Sequence, residues 1–153
     1  MLEALERLDA EVAVRRVMVA YMAACDAHDA DAVAVLFHED ALWESTRPDA
    51  PPPLVGRDAI RAEYAEACAR LTFCVHYLTN ERIRVEGDRA EARWSYFEPA
   101  TNRGSLAVWT AGRYEHTLTR RDGVWRFAHF RIAAQLAAPY ETGWSPEPRV
   151  PLP

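Results

Sequence analysis

The sequence predicts an α+β fold: a cone-shaped α+β barrel, with three N-terminal helices packed on a curved, mostly antiparallel sheet. Three observations carry this. Apolar residues recur at helical spacing up to about residue 70. From Phe73 onward the period drops to two. Tight-turn residues then separate the extended stretches. Runs of helix followed by runs of antiparallel strand define the α+β class.

Residues 9–28 are the first expected helix, with Val14, Val17, Met18, Tyr21 and Cys25 on one stripe. Asp29 can cap a second short helix over 30–37, carrying Val33, Leu36 and Phe37. Ala41–Glu44 reads as a short strand. Pro48, Pro51, Pro52, Pro53 and Gly56 mark 47–56 as a loop. A third helix over about 57–70 sets Ile60, Tyr64, Ala67 and Leu71 on one side. Phe73–Val85 is then a strand, with Glu86-Gly87-Asp88 as its turn. Ala90, Ala92, Trp94 and Tyr96 alternate with Glu91, Arg93, Ser95 and Phe97, as in a half-buried strand. Pro99–Gly104 is the next expected turn. Leu106–Thr119 is a long strand that Gly112 interrupts, as at a bulge. Arg121-Asp122-Gly123 turns the chain into Val124–Leu136. On that last strand Trp125, Phe127, His129 and Arg131 are expected to share one face. The domain is thus 1–136, and the proline-rich 137–153 is expected as an extended C-terminal arm.

The chain has 153 residues, enough for one domain with its own core. Its formal net charge is −5, which argues against nucleic acid or an anionic membrane as a partner. All 18 basic residues are Arg, so lysine chemistry is excluded. The first residues are charged and amphipathic rather than signal-like, and no apolar run has membrane-spanning length. Cys25, Cys68 and Cys74 are odd in number and lack a metal-type spacing. Together these point to a cytoplasmic protein, with no metal and no cofactor expected.

Five histidines form no HxH or HExxH pattern, and phosphate loops and nucleophile elbows are absent. The chemistry must come from polar residues on faces that should be buried. Asp26 sits at the end of a helix, where the dipole disfavours an anion. It is either a solvent-exposed acid or a carboxylate that orients an imidazole. His76 lies on a strand whose faces are both largely apolar, so a buried ring there needs a partner. That partner is either a backbone carbonyl or a carboxylate, and the second would make His76 a general base. Tyr21 lies five residues before Asp26, about 140° around the helix, and can border the same pocket. Arg131 is either a surface residue or a cation at a cavity mouth. Trp43, Trp94, Tyr96, Tyr114 and His129 are expected as pocket wall or core, suited to a hydrophobic cyclic small molecule.

Four stretches carry a family resemblance: helix one with Tyr21 and Asp26, GRDAIRAEY (56–64), HYLTNERIRVEGDRAEARWSYF (76–97) and GRYEHTLTRRDGVWRFAHFRI (112–132). They resemble the SnoaL-like branch of the nuclear transport factor 2-like superfamily over roughly residues 8–135. The resemblance implies the cone-shaped fold. In lyases of this family, scytalone dehydratase, hexachlorocyclohexane dehydrochlorinase and bile-acid 7α-dehydratase among them, an Asp ending helix one pairs with a His on the first long strand. Asp26 and His76 match those positions. Tyr21 matches a tyrosine of the bile-acid enzyme, and Arg131 is the nearest counterpart of its last-strand arginine. The second His of scytalone dehydratase falls near Ala100 and has no counterpart, and the dehydrochlorinase lysine is missing. The implied activity is a cofactor-independent lyase of the dehydratase type, or an isomerase or cyclase using the same dyad. A non-catalytic binding or structural subunit is the rival reading. An apolar sheet face implies a homodimer or homotrimer.

Overall fold

The computed structural model describes residues 2–47, 50–102 and 104–144. Helix α1 runs Leu2–Asp26, seven residues earlier than the apolar stripe requires. The added residues are strong helix formers, and the whole segment lacks Gly and Pro. Asp29 caps α2, its side chain accepting from the Ala32 N–H at 2.8 Å. α2 is shorter than expected, Ala30–Ala34, because Phe37 already belongs to strand β1 (Phe37–Ser45). After the prolines a two-residue strand, β2 (Leu54–Val55), pairs with β1, and α3 follows over Arg57–Arg70.

The expected strand 73–85 is two strands. β3 (Leu71–Cys74) and β4 (Tyr77–Glu86) both pair antiparallel with β5 (Arg89–Asn102), with Cys74 opposite Ala100 and Tyr77 opposite Phe97. These two pairs share one register, so the chain opens at Val75–His76 without slipping. β5 continues through Pro99, which faces Trp109 of β6 (Leu106–Arg121), so the expected turn begins later. β7 (Val124–Pro139) takes in residues 137–139 of the expected arm, and residues 145–153 lie outside the described residues.

The sheet order is β2-β1-β7-β6-β5-β3, with β4 also on β5. Only β1 and β7 run parallel among the described strands. The result is a curled, mostly antiparallel half-barrel with the helices on its inner face. At Gly112 the register against β7 shifts. A Cβ there would sit 2.3 Å from the Ala133 carbonyl oxygen and 2.9 Å from the Tyr96 ring, so only glycine fits. Tyr21, Phe37, Trp43, Phe127 and Phe130 are buried almost completely between helices and sheet.

A second register shift, between Thr117 and Leu118 of β6, sits opposite Ala128 of β7. The extra residue reverses the in-out phase. Trp125 and Phe127 point inward before it, and Phe130 and Ile132 after it. His129 and Arg131 therefore leave the face of Trp125 and Phe127 and point outward, contrary to expectation. The β3–β4 segment is also less covered than its apolar faces suggested. Phe73 and Tyr77 are about half exposed.

Candidate active site

The end of α1 meets the opening between β3 and β4. Asp26 accepts there from His76 twice over. The ring Nδ1 lies 2.6 Å from Oδ1, and the His76 backbone N–H donates to the same carboxylate at 3.1 Å. A carboxylate only accepts, so Nδ1 must carry the proton. In the neutral ring this leaves the lone pair on Nε2, the form a general base requires. The ladder to β5 is interrupted here because Pro99 accepts from the Val75 N–H at 3.2 Å but has no N–H to return, and the His76 N–H, on the other edge of the strand, meets Asp26. The His76 side chain is 7% exposed and that of Asp26 31%.

Nε2 faces a narrow pocket between α1, α3 and the sheet, with a cavity of about 90 Å³. Tyr21, Trp43 and Tyr64 form one wall. The Tyr21 and Tyr64 hydroxyls share a 2.6 Å hydrogen bond, and Trp43 Nε1–H donates to Tyr64 at 3.1 Å. Burial pushes the Tyr21, Tyr64 and Tyr114 hydroxyls well above their ordinary values, so they act as neutral donors. Burial also raises the Cys25 thiol, and it pushes Cys74 up to about 12 with help from Glu98 and Asp26. These are inert thiols rather than thiolate nucleophiles.

Of the residues singled out in the sequence, Asp26, His76, Tyr21, Trp43 and Tyr114 come together here. Tyr96 stacks on Tyr114 with ring centres 4.4 Å apart. Trp94 borders a different groove, with Arg15, Met18 and Leu78. His129 and Arg131 do not reach the pocket. His129 Nε2 is 2.9 Å from Glu44, and Arg131 donates to Glu115 at 2.6 Å. Both line an open groove on the outer sheet face among ion-paired arginines and glutamates. The bulge opposite Ala128 is the cause.

Tyr64, Arg47 and Glu98 are among the wall residues that escaped the sequence reading. Glu98 Oε2 accepts from Thr110 Oγ1 at 2.8 Å and lies 3.6 Å from His76 Nε2. The signal for it was present. Ala90, Ala92, Trp94 and Tyr96 point inward, and one more step of the same alternation gives Glu98. Reading Pro99 as a turn ended the strand there, whereas β5 runs on to Asn102.

Among the described residues one group has metal-type donors. Asp26, Cys74 and His76 offer atoms within 4.8 Å of one another. Asp26 and His76 spend their facing atoms on each other, and the high Cys74 thiol disfavours the thiolate that a metal requires.

Known structures share this architecture. A protein named as an aromatic ring hydroxylase from Novosphingobium aromaticivorans is 27% identical, with 86% of this chain and 94% of that one covered and a TM-score of 0.79. A protein named as a scytalone dehydratase from the same organism is 23% identical over 87% and 89%, with a TM-score of 0.78. A hexachlorocyclohexane dehydrochlorinase from Novosphingobium barchaimii is 20% identical over 98% and 99%, with a TM-score of 0.79. At such identities the last two show the fold. No curated protein matches the chain by sequence. No described helix is long and apolar enough to cross a membrane. The model of the SnoaL-like domain matches residues 6–131, and the chain belongs to that family, within the nuclear transport factor 2-like superfamily.

Proposed function

We propose that this chain is a cofactor-independent lyase of the dehydratase type, acting on a hydrophobic cyclic small molecule. The observation that carries the reading is the 2.6 Å Asp26–His76 contact, which leaves Nε2 directed into an aromatic-walled pocket. In this reading His76 removes a proton beside a carbonyl. Asp26 holds the tautomer and stabilises the imidazolium that forms. The Tyr21 hydroxyl donates to the substrate. Arg47, rather than Arg131, stabilises the developing negative charge, because it is the guanidinium in the pocket wall. The names of two structural neighbours support the same class. Dehydration and dehydrochlorination both remove a proton and a group from adjacent carbons. An isomerase or a cyclase of polyketide or steroid type would use the same dyad, with the carbanion meeting a different electrophile.

The test needs no natural substrate. 5-Nitrobenzisoxazole opens when a base removes the proton from C3 of its isoxazole ring, and it reports a general base in an apolar pocket. Wild type is expected to open it faster than free imidazole does. His76→Ala should lose about 10²–10⁴-fold, the usual contribution of general acid–base catalysis. A loss below tenfold would sink the dyad and favour a binding or structural subunit.

A further inference from the structure

We propose that Glu98 is the second catalytic group, the acid that protonates the leaving hydroxyl. This rests on the lyase reading above and deepens it. Three observations converge on Glu98. It is the carboxylate of the inward series on β5 and lines the pocket, with a side chain only 17% exposed. Its Oε2 lies 3.6 Å from His76 Nε2, the atom assigned to proton removal. The Thr110 hydroxyl donates to that oxygen at 2.8 Å and holds it on the line toward the imidazole.

Asp26 holds the ring proton on Nδ1, so Nε2 is the nitrogen that meets Glu98 Oε2. A proton between these two atoms can rest on either of them, and in the proposed cycle it starts on Glu98, which leaves Nε2 free to act as a base. Two groups a few ångströms apart, one able to take a proton and one able to give it, match the demand of a β-hydroxy ketone. There, C–H and C–O bonds break on neighbouring carbons.

The step balances within the site. Nε2 takes the proton from the carbon beside the carbonyl. The C–H electron pair becomes the new C=C bond. The C–O bond breaks with its pair on oxygen, and the Glu98 carboxyl proton converts the departing hydroxide into water. His76 is then an imidazolium and Glu98 a carboxylate. The proton on Nε2 passes to Oε2, and both groups return to their starting states with no other reactant. The Asp26 carboxylate stays ionised throughout.

Two probes separate the roles. Opening 5-nitrobenzisoxazole expels a nitrophenoxide, which leaves without protonation. Dehydrating 4-hydroxy-2-tetralone to 2-naphthol expels a hydroxide, which needs the acid, and the fluorescent product gives the rate. Glu98→Gln keeps an acceptor for Thr110 and removes the transferable proton. It should lower the tetralone rate at least a hundredfold more than the isoxazole rate. Thr110→Val, which leaves the carboxylate free to turn, should show the same bias more weakly. Circular dichroism establishes that each variant is folded. Equal losses on both probes in Glu98→Gln would make the residue structural, and no loss on either would make it a bystander. Both outcomes overturn the proposal while the dyad stands. If His76→Ala leaves both rates intact, or wild type acts on neither probe, the lyase reading itself falls and the role of Glu98 falls with it.

Discussion

His116 sits deep in the aromatic core, and it should make the protein acid-labile. Its ring stacks on Phe130 at 4.0 Å and contacts Phe127, Tyr114 and Trp94. Neither ring nitrogen has a hydrogen-bond partner among the described residues. Burial holds the imidazole down at about 3, from an ordinary 6.5; the Glu115 backbone pulls the other way without forming a bond. The unfolded chain therefore binds a proton at this site below pH 6.5, and the folded chain does not until pH falls to about 3. Stability from this group is fully present above 6.5 and drains away as pH falls through that window. Every tenfold difference in proton affinity between the two states is worth about 1.4 kcal/mol, so the whole window costs about 5 kcal/mol, of which about 2 is lost by pH 5. A domain holds only about 5–15 kcal/mol in total. His116→Phe keeps the ring and removes both the titration and the two unpaired nitrogens. It should raise stability by about 1–3 kcal/mol at pH 7.5, from relief of the unpaired groups. That advantage should widen by about 2 kcal/mol at pH 5. Urea unfolding of both proteins at the two pH values measures it. A parallel pH dependence would refute the reasoning, because the acid sensitivity would then come from other groups.

Three further outcomes follow from the geometry. Gly112→Ala puts a methyl group against the Ala133 carbonyl, and it should cost about 1–3 kcal/mol or prevent folding, read as a lowered melting temperature. Arg131→Ala should change 5-nitrobenzisoxazole turnover less than threefold, since Arg131 serves Glu115 and Glu44 on the outer face; a loss above tenfold would return it to the site. Cys74 should resist iodoacetamide at pH 8 far longer than a free thiol, because its thiol is pushed up to about 12, and rapid labelling in native protein would contradict that.

Fold class was legible because hydrophobic period is a direct imprint of which face is buried, and the change near Phe73 is abrupt. Asp26 was legible because an acid at a helix C-terminus is costly without a partner, and the family resemblance supplied that partner in His76. The misplacements share one cause. Period-two reasoning carries phase along a strand, and one inserted residue inverts everything after it. The bulge opposite Ala128 did this to His129 and Arg131, and no local residue type announces it. Glu98 was lost for a different reason. Proline was taken as the end of a strand, yet Pro99 sits within one and has Trp109 opposite it. Tyr64 was visible on its helix face, but its bond to Tyr21 joins residues 43 apart and is set by tertiary packing alone.

The parallel pairing of β1 with β7 has a consequence for how the protein comes into being. Phe37 lies opposite Phe127, about 90 residues later in the chain. During synthesis, α1, α2 and β1 leave the ribosome long before the strand that completes them. Phe37 and Trp43 wait without their neighbour, and so does the small strand Leu54–Val55 that leans on β1. Asp26 and His76 emerge early, but the pocket wall beside them includes Tyr114 and Ile132, which come last. Such long-range pairing must meet its loop-closure entropy before any contact repays it, which makes folding slow and late. The sheet closes only once the final strand is free, so the nascent chain carries an unpaired strand edge for most of its translation and depends on whatever shields that edge.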